Sequence, residues 1–237
     1  MVNIALIIAG GVGNRMGQDI PKQFLTVNEK PVIIYTLEAF QKHPEIDVIG
    51  VVCLQGWETV LQSYANQFNI TKLKHIVPGG DCGQASIRNG VYELEKHYSR
   101  SDIVLIHDAI RPMVSEAIIS DCIAKTKEFG NAITCIPCAE AMLQTEDSRV
   151  SCGSYPRDRL KRTQTPQGFM IGDICDLHRE ALKVGITNSV ASCTLMIEMG
   201  KQVHFSNGSE KNIKLTTVDD IDIFKALLAS KRAEWLK

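Results

Sequence analysis

Residues 7–25 read I-I-A-G-G-V-G-N-R-M-G-Q-D-I-P-K-Q-F-L and hold the densest chemistry of the chain. A short apolar run ends in Gly10-Gly11-Val12-Gly13, Arg15 follows two residues later, and Lys22 sits in a Pro21-Lys22-Gln23 turn. A strand that opens into a glycine-rich loop lets backbone N–H groups approach phosphate oxygens closely. Two cations on that loop suit a polyphosphate that is to be cleaved, because they stabilise charge as it develops. The spacing argues against commoner motifs. Gly17 comes one residue late for G-x-G-x-x-G after Gly11 and Gly13, and Arg15 would crowd a pyrophosphate turn. A P-loop needs G-K-[ST], and no such triplet occurs.

Further candidates follow along the chain. Residues 102–111, D-I-V-L-I-H-D-A-I-R, read as a strand buried on both faces that ends in His107-Asp108, with Arg111 three residues on. An acidic residue at the carboxyl end of such a strand lies in the ligand crevice of an open α/β sheet. Asp108 could hold Mg²⁺, which takes one or two carboxylates plus substrate phosphates; it could equally cap the segment that follows. His107 reads as a packed strand-end histidine. Pro78-Gly79-Gly80-Asp81 leads into Ala85-Ser86, where glycines would let a flat ring lie against the backbone with Asp81 or Ser86 bonding its edge; a plain tight turn with a helix cap fits the same residues. Thr165-Pro166-Gln167 and Asn212-Ile213-Lys214 are weaker signals taken singly.

These residues need a scaffold, and apolar runs alternate with helical patterns to supply one. Strands are expected at 4–9, 48–54, 73–77, 103–107 and 132–136, and helices at 32–41, 57–68, 84–97, 116–129, 171–184 and 218–236. Such alternation predicts an α/β fold: a single Rossmann-like, doubly wound, mostly parallel sheet with helices on both faces. Right-handed crossovers then gather the functional strand ends on one edge. Thr217, with Asp220 three residues on, marks the start of the last helix. Residues 138–163 break the rhythm; they are polar, carry five cations and read as two short strands forming a protruding β-arm. One nucleotide-handling domain over 1–237 with that excursion is the expected organisation, a size that suits it.

Composition narrows the class. The net charge is −1 and the hydrophobic content 44%, which offers no field for nucleic acid or an anionic membrane. No segment approaches the roughly 18 apolar residues of a membrane span, and the N-terminus runs straight into a strand, so a cytoplasmic location is expected. Eight cysteines scattered through mostly apolar stretches fit reduced thiols. Cys135-Ile-Pro-Cys138 lies in an apolar run without the context of a redox motif, and no second pair has matching metal-site spacing.

The motifs together resemble the family of cytidylyltransferases that make CDP-methylerythritol and CDP-ribitol. The likeness spans nearly the whole chain: A-G-G-V-G-N-R-M-G at 9–17, P-K-Q at 21–23, G-G-D at 79–81, H-D-A-I-R-P at 107–112, T-P-Q at 165–167 and N-I-K at 212–214. The resemblance implies that Ala9, Gly10, Gly11, Gly13 and Arg15 hold a CTP triphosphate and that Lys22 neutralises charge on its α- and β-phosphates. It puts Gly80, Asp81 and Ser86 at the cytosine. Asp108 would sit by Mg²⁺ and the acceptor, with Arg111 beside it and Thr165 on the acceptor side, and Lys214 would bridge the α-phosphate and the acceptor phosphate. In the family the arm crosses to a second subunit, so a homodimer is implied, with Arg157 reaching the partner's acceptor. The implied function is CMP transfer from CTP to a small polyol phosphate. Gly56-Trp57 and the long 93–102 connection look more like the ribitol 5-phosphate branch, with 2-C-methyl-D-erythritol 4-phosphate as the alternative. An inactive nucleotide-binding module is opposed by the intact Arg15 and Lys22, and a nicotinamide enzyme by the loop spacing. The chain departs from the family pattern in three places. Gly83 stands near the place where an Arg is usual, Glu140-Ala141 replaces a D-T pair, and a T-D pair is replaced either at Thr187-Asn188-Ser189 or at Val190-Ala191-Ser192.

Overall fold

The run N-I-A-L-I-I-A is apolar at nearly every position, the pattern of a strand covered on both sides. In the computed structural model, which describes residues 1–11 and 20–233, it is the central strand β1 (Asn3–Ala9). In chain order follow the small hairpin β2 (Thr26–Val27) and β3 (Lys30–Pro31), α1 (Val32–Lys42), β4 (Val48–Cys53), α2 (Glu58–Gln67), β5 (Leu73–Pro78), α3 (Gly83–Glu95) and β6 (Ile103–Asp108). Then come α4 (Glu116–Phe129), β7 (Asn131–Pro137), β8 (Met142–Gln144), β9 (Gly153–Tyr155), β10 (Lys161–Met170), α5 (Ile171–Lys183), α6 (Ser192–Glu198), β11 (Phe205–Asn207) and α7 (Val218–Ala233).

Seven strands form one sheet in the order β11-β7-β10-β6-β1-β4-β5. β10 runs antiparallel to β6 and β7, and the other pairings are parallel. The expected class, a mostly parallel doubly wound α/β sheet, therefore holds. Side chains alternate between the two faces as the period of two requires. Ala5, Ile7 and Ala9 of β1 and Ile103 and Leu105 of β6 pack with Ile33, Leu37, Leu61 and Ile119 of α1, α2 and α4. Ile4 and Leu6 with Val104 and Ile106 pack with Val91, Ile174, Cys175 and Leu195 of α3, α5 and α6. Helix ends obey local rules: Ser115 accepts the Ile118 N–H at the start of α4, and Gly130, with φ 82°, terminates it in the left-handed region. At α7 the anticipated start is present, with the Asp220 carboxylate accepting the Thr217 N–H and Thr217 Oγ1 accepting the Asp220 N–H.

The polar stretch after β7 does contain two short exposed strands, β8 and β9, paired antiparallel. Its far boundary falls earlier than expected, because Lys161–Thr163 already pair with Cys135–Pro137 and belong to the sheet. All eight cysteines are free; six are buried, Cys82 is half-buried and Cys152 on the arm is exposed. Among the described residues, no helix is long and apolar enough to cross a membrane.

Candidate active site

The sheet order reverses at β1, since β4 and β5 extend to one side of it and β6 to the other. In an open α/β sheet the crevice at such a switch point, outside the carboxyl ends of the strands, receives the ligand. Register puts Ala9 beside Cys53 and Ile8 beside Asp108, so the loops after β1, β4, β5 and β6 share that edge.

Two cavities open there. The first, about 300 Å³, is lined by Ala9, Gly10, Gly11, Lys22, Gln23, Gly80, Asp81, Cys82 and Ser86. Two glycine loops meet in its wall. A Cβ on Gly10 would lie 3.4 Å from the Gly79 Cα and 3.2 Å from Ser86 Oγ, contacts that leave no room for a side chain without shifting a neighbour. Ser86 Oγ accepts the Gly80 N–H at 3.0 Å, fixing the second loop on the first turn of α3. Gln23, buried beneath the first loop, donates to the Ala9 and Gly11 carbonyls at 2.8 and 3.0 Å. Gly13 and Arg15 lie outside the described residues.

The second cavity, about 280 Å³, is lined by side chains: His107, Arg111, Thr163, Gln164, Thr165, Gln167, Val190, Ala191 and Ser192. Ile8, Gly83, Asp108 and Lys214 belong to both walls, so the two spaces meet at one carboxylate and one ammonium. Arg111 Nε lies 3.0 Å and Lys214 Nζ 3.2 Å from the Asp108 carboxylate. Burial opposes ionisation of Asp108, but Lys214, Arg111 and the Arg111 hydrogen bond outweigh it and hold the carboxyl below its usual range. The Lys214 position is set by backbone: the Leu215 N–H bonds the Ile110 carbonyl, and Arg111 Nη1 bonds the Asn212 carbonyl at 2.8 Å. His107 is fully buried, and burial pushes its pKa down to about 4, so the ring is neutral at physiological pH.

Of the residues singled out in the sequence, Ala9, Gly10, Gly11, Lys22, Gly80, Asp81 and Ser86 come together around the first cavity, Arg111 and Thr165 line the second, and Asp108 and Lys214 stand at the junction. Arg157 lies apart from both, on the arm, where its Nη1 donates to the Ala139 carbonyl. The two stretches offered for the late motif are placed differently. Val190, Ala191 and Ser192 line the second cavity, whereas Ile186 and Ser189 are clamped to α3 by Gln84. At Gly83, near the place of the family's Arg, an added Cβ would meet nothing within 4 Å. Gln23, Gln84, Gln164 and Asn212, all buried and bonding backbone around the site, were not singled out for a role. The motifs P-K-Q and N-I-K contain two of them and were the available signal.

A glycine-rich cavity and a second polar cavity that share a charged wall at a Rossmann-like switch point fit a nucleotidyltransferase. The 2-C-methyl-D-erythritol 4-phosphate cytidylyltransferase (IspD) family model matches residues 3–230, and the chain belongs to that family. It is 45% identical over 229 residues to a ribitol-5-phosphate cytidylyltransferase of Lacticaseibacillus paracasei, covering 96% of this chain and 98% of the relative. A ribitol-5-phosphate cytidylyltransferase of Vibrio parahaemolyticus is 40% identical, with 96% of each covered. A 2-C-methyl-D-erythritol 4-phosphate cytidylyltransferase of Geotalea uraniireducens is 32% identical, with 97% and 98% covered. Among solved structures, the 2-C-methyl-D-erythritol 4-phosphate cytidylyltransferase of Francisella tularensis superposes with a TM-score of 0.78 at 25% identity, covering 94% of this chain and 98% of that one.

Proposed function

We propose that this protein transfers CMP from CTP to ribitol 5-phosphate, giving CDP-ribitol and pyrophosphate, and does so in the cytoplasm, where CTP is available. The observation that carries this reading is the shared wall: a donor cavity and an acceptor cavity meet at Asp108 and Lys214. The higher identity to relatives named for ribitol 5-phosphate than to one named for methylerythritol phosphate favours that acceptor.

The chemistry follows from the residues present. The nucleophile is an oxygen of the acceptor's phosphate monoester, whose second pKa of about 6 leaves it largely dianionic at neutral pH. No general base is required, and the neutral, buried His107 is not asked to be one. The difficulty is bringing two anions together at the α-phosphorus. Lys214 stands between the cavities to offset both charges, and Lys22, in the donor cavity, stabilises charge as pyrophosphate departs. The described residues contain no cluster of three or more His, Cys, Asp or Glu able to hold a metal ion. A single carboxylate at the junction fits Mg²⁺ that arrives on the triphosphate, with Asp108 as its protein ligand. Bound there, Mg²⁺ would withdraw charge from the phosphates. Exposed on the arm, Arg157 would complete the acceptor site of a partner subunit in a homodimer.

The test is pyrophosphate release with CTP and Mg²⁺ against ribitol 5-phosphate, 2-C-methyl-D-erythritol 4-phosphate and glycerol 3-phosphate, with product mass as readout. CDP-ribitol as the main product is expected; a CDP-linked product from another acceptor alone would move the assignment. Lys22→Ala is expected to slow turnover more than about tenfold with the fold intact, the lower end for a lost electrostatic contact, and near-wild-type turnover would count against the role of Lys22.

A further inference from the structure

The Thr165 hydroxyl has one proton to donate and two lone pairs with which to accept. The Asp108 backbone N–H occupies one lone pair at 3.0 Å, and His107 Nδ1 lies 3.1 Å from the same oxygen. Across the ring, His107 Nε2 is 3.2 Å from the carbonyl oxygen of Arg111, which can only accept. The ring is fully buried and its two hydrogen-bond partners are a carbonyl and a hydroxyl rather than a carboxylate, so it holds one proton; Nε2, facing the carbonyl, carries it, Nδ1 presents its lone pair, and the Thr165 proton is committed to it.

We propose that His107 is a positioning residue that fixes Thr165 as a pure hydrogen-bond acceptor toward the acceptor cavity, so that Thr165 selects a substrate hydroxyl and turns away phosphate oxygens. This rests on the acceptor reading given above and deepens it. Arg111 and Lys214 offer only donors and suit the phosphate, whereas Thr165 has one lone pair left and suits a hydroxyl. The neighbouring amides do not compete. Gln164 bonds Ser209 and Asn212, and Gln167 bonds the Cys193 N–H and the Gln164 carbonyl. A ligand that satisfies both ends of the cavity is a monophosphate carrying free hydroxyls.

The experiment has two arms. The first reads the ring nitrogens of His107 in the free protein by ¹⁵N NMR. A protonated Nε2 with a bare Nδ1 is expected, and the opposite tautomer or a doubly protonated ring overturns the proposal. The second measures kcat/KM with CTP, Mg²⁺ and ribitol 5-phosphate analogues in which single hydroxyls are replaced by hydrogen or by fluorine, which accepts weakly but cannot donate. At one position the two replacements are expected to cost the same, roughly fivefold for a lost hydrogen bond. Thr165→Val should erase that discrimination, with the KM for CTP unchanged. His107→Leu frees the Thr165 proton, so the fluoro analogue should outperform the deoxy analogue, and His107→Gln, which can donate and accept across the same gap, should restore the wild-type pattern. Should His107→Leu fail to fold, the Thr165→Val result and the tautomer stand without it. A fluoro analogue that retains full activity with the wild-type protein overturns the proposal. Failure of the wild type to turn over any polyol phosphate overturns the acceptor reading and with it the hydroxyl selection, while the tautomer still decides the part assigned to His107.

Discussion

Gln23 shows how the glycine loop proposed to hold phosphate depends on a side chain committed to the loop's own carbonyls. Its amide donates to the carbonyls of Ala9 and Gly11 from beneath the loop, so neither carbonyl is left to turn toward a ligand. Gln23→Leu keeps the volume but strands both carbonyls, each costing about 1–3 kcal/mol where buried. The expected result is a rise of roughly fivefold or more in the KM for CTP, with the KM for the acceptor nearly unchanged; equal rises in both would mean a general collapse of the site. The types of the charged residues were legible in sequence because charge development at phosphorus demands cations. The Gln23 role was not, because it depends on where carbonyls 12 and 14 residues earlier come to rest. The same holds for the pairing of Asp108 with Lys214, 106 positions apart in the chain.

At the scale of elements, the two cavities are joined by α3. Gln84 in its first turn donates to the Ile186 carbonyl at 2.8 Å and accepts the Ser189 N–H at 2.6 Å, so the segment that leads to Val190–Ser192 is fastened to the helix that follows the nucleotide loop. Gln84→Met removes both bonds and keeps the length of the side chain. It is expected to raise the KM for the acceptor several-fold, to change that for CTP little, and to lower unfolding stability by about 1–3 kcal/mol in a denaturant titration. An acceptor KM equal to wild type would show that the segment holds its place without the clamp. Elements with an unbroken apolar run, such as β1 and β6, or a helical period, such as α4, were expected within a few residues of where they lie. Those that escaped have physical reasons. β10 starts exposed at the base of the arm and shifts register between Thr163 and Gln167, which scrambles its alternation. α6 has only seven residues. β2 and β3 have two each, joined by Asn28 and Glu29, both with positive φ, where a Gly at the second position would have signalled the hairpin.

For the whole molecule, stability at acid pH is set in part by histidines buried as neutral rings. His178 on α5 has no hydrogen-bond partner at either ring nitrogen among the described residues, and burial, with Arg88 nearby, pushes its pKa down to about 4. Between that value and an unfolded value of about 6.5 the unfolded chain binds a proton that the folded one refuses. Stability is then expected to fall as pH drops from about 6.5 and to level off near 4, by up to roughly 3 kcal/mol for this group. His178→Leu should flatten that limb of a melting-temperature profile; an unchanged slope would assign the limb to other groups. The assembly is tested by complementation. In the proposed homodimer each active site uses Lys22 of its own subunit and Arg157 of the other. Arg157→Ala and Lys22→Ala homodimers are each expected to be nearly inactive. If subunits exchange at random, half the dimers are mixed. In a mixed dimer one site receives both lesions and the other receives neither, so activity should recover to about a quarter of wild type at equal total protein, a consequence of two-fold symmetry alone. Recovery requires that Arg157 act across the interface, because within one chain each variant would keep its own lesion in every dimer. A mixture no more active than the average of its parents, with exchange verified by mass, would place Arg157 in its own subunit's site or outside the reaction.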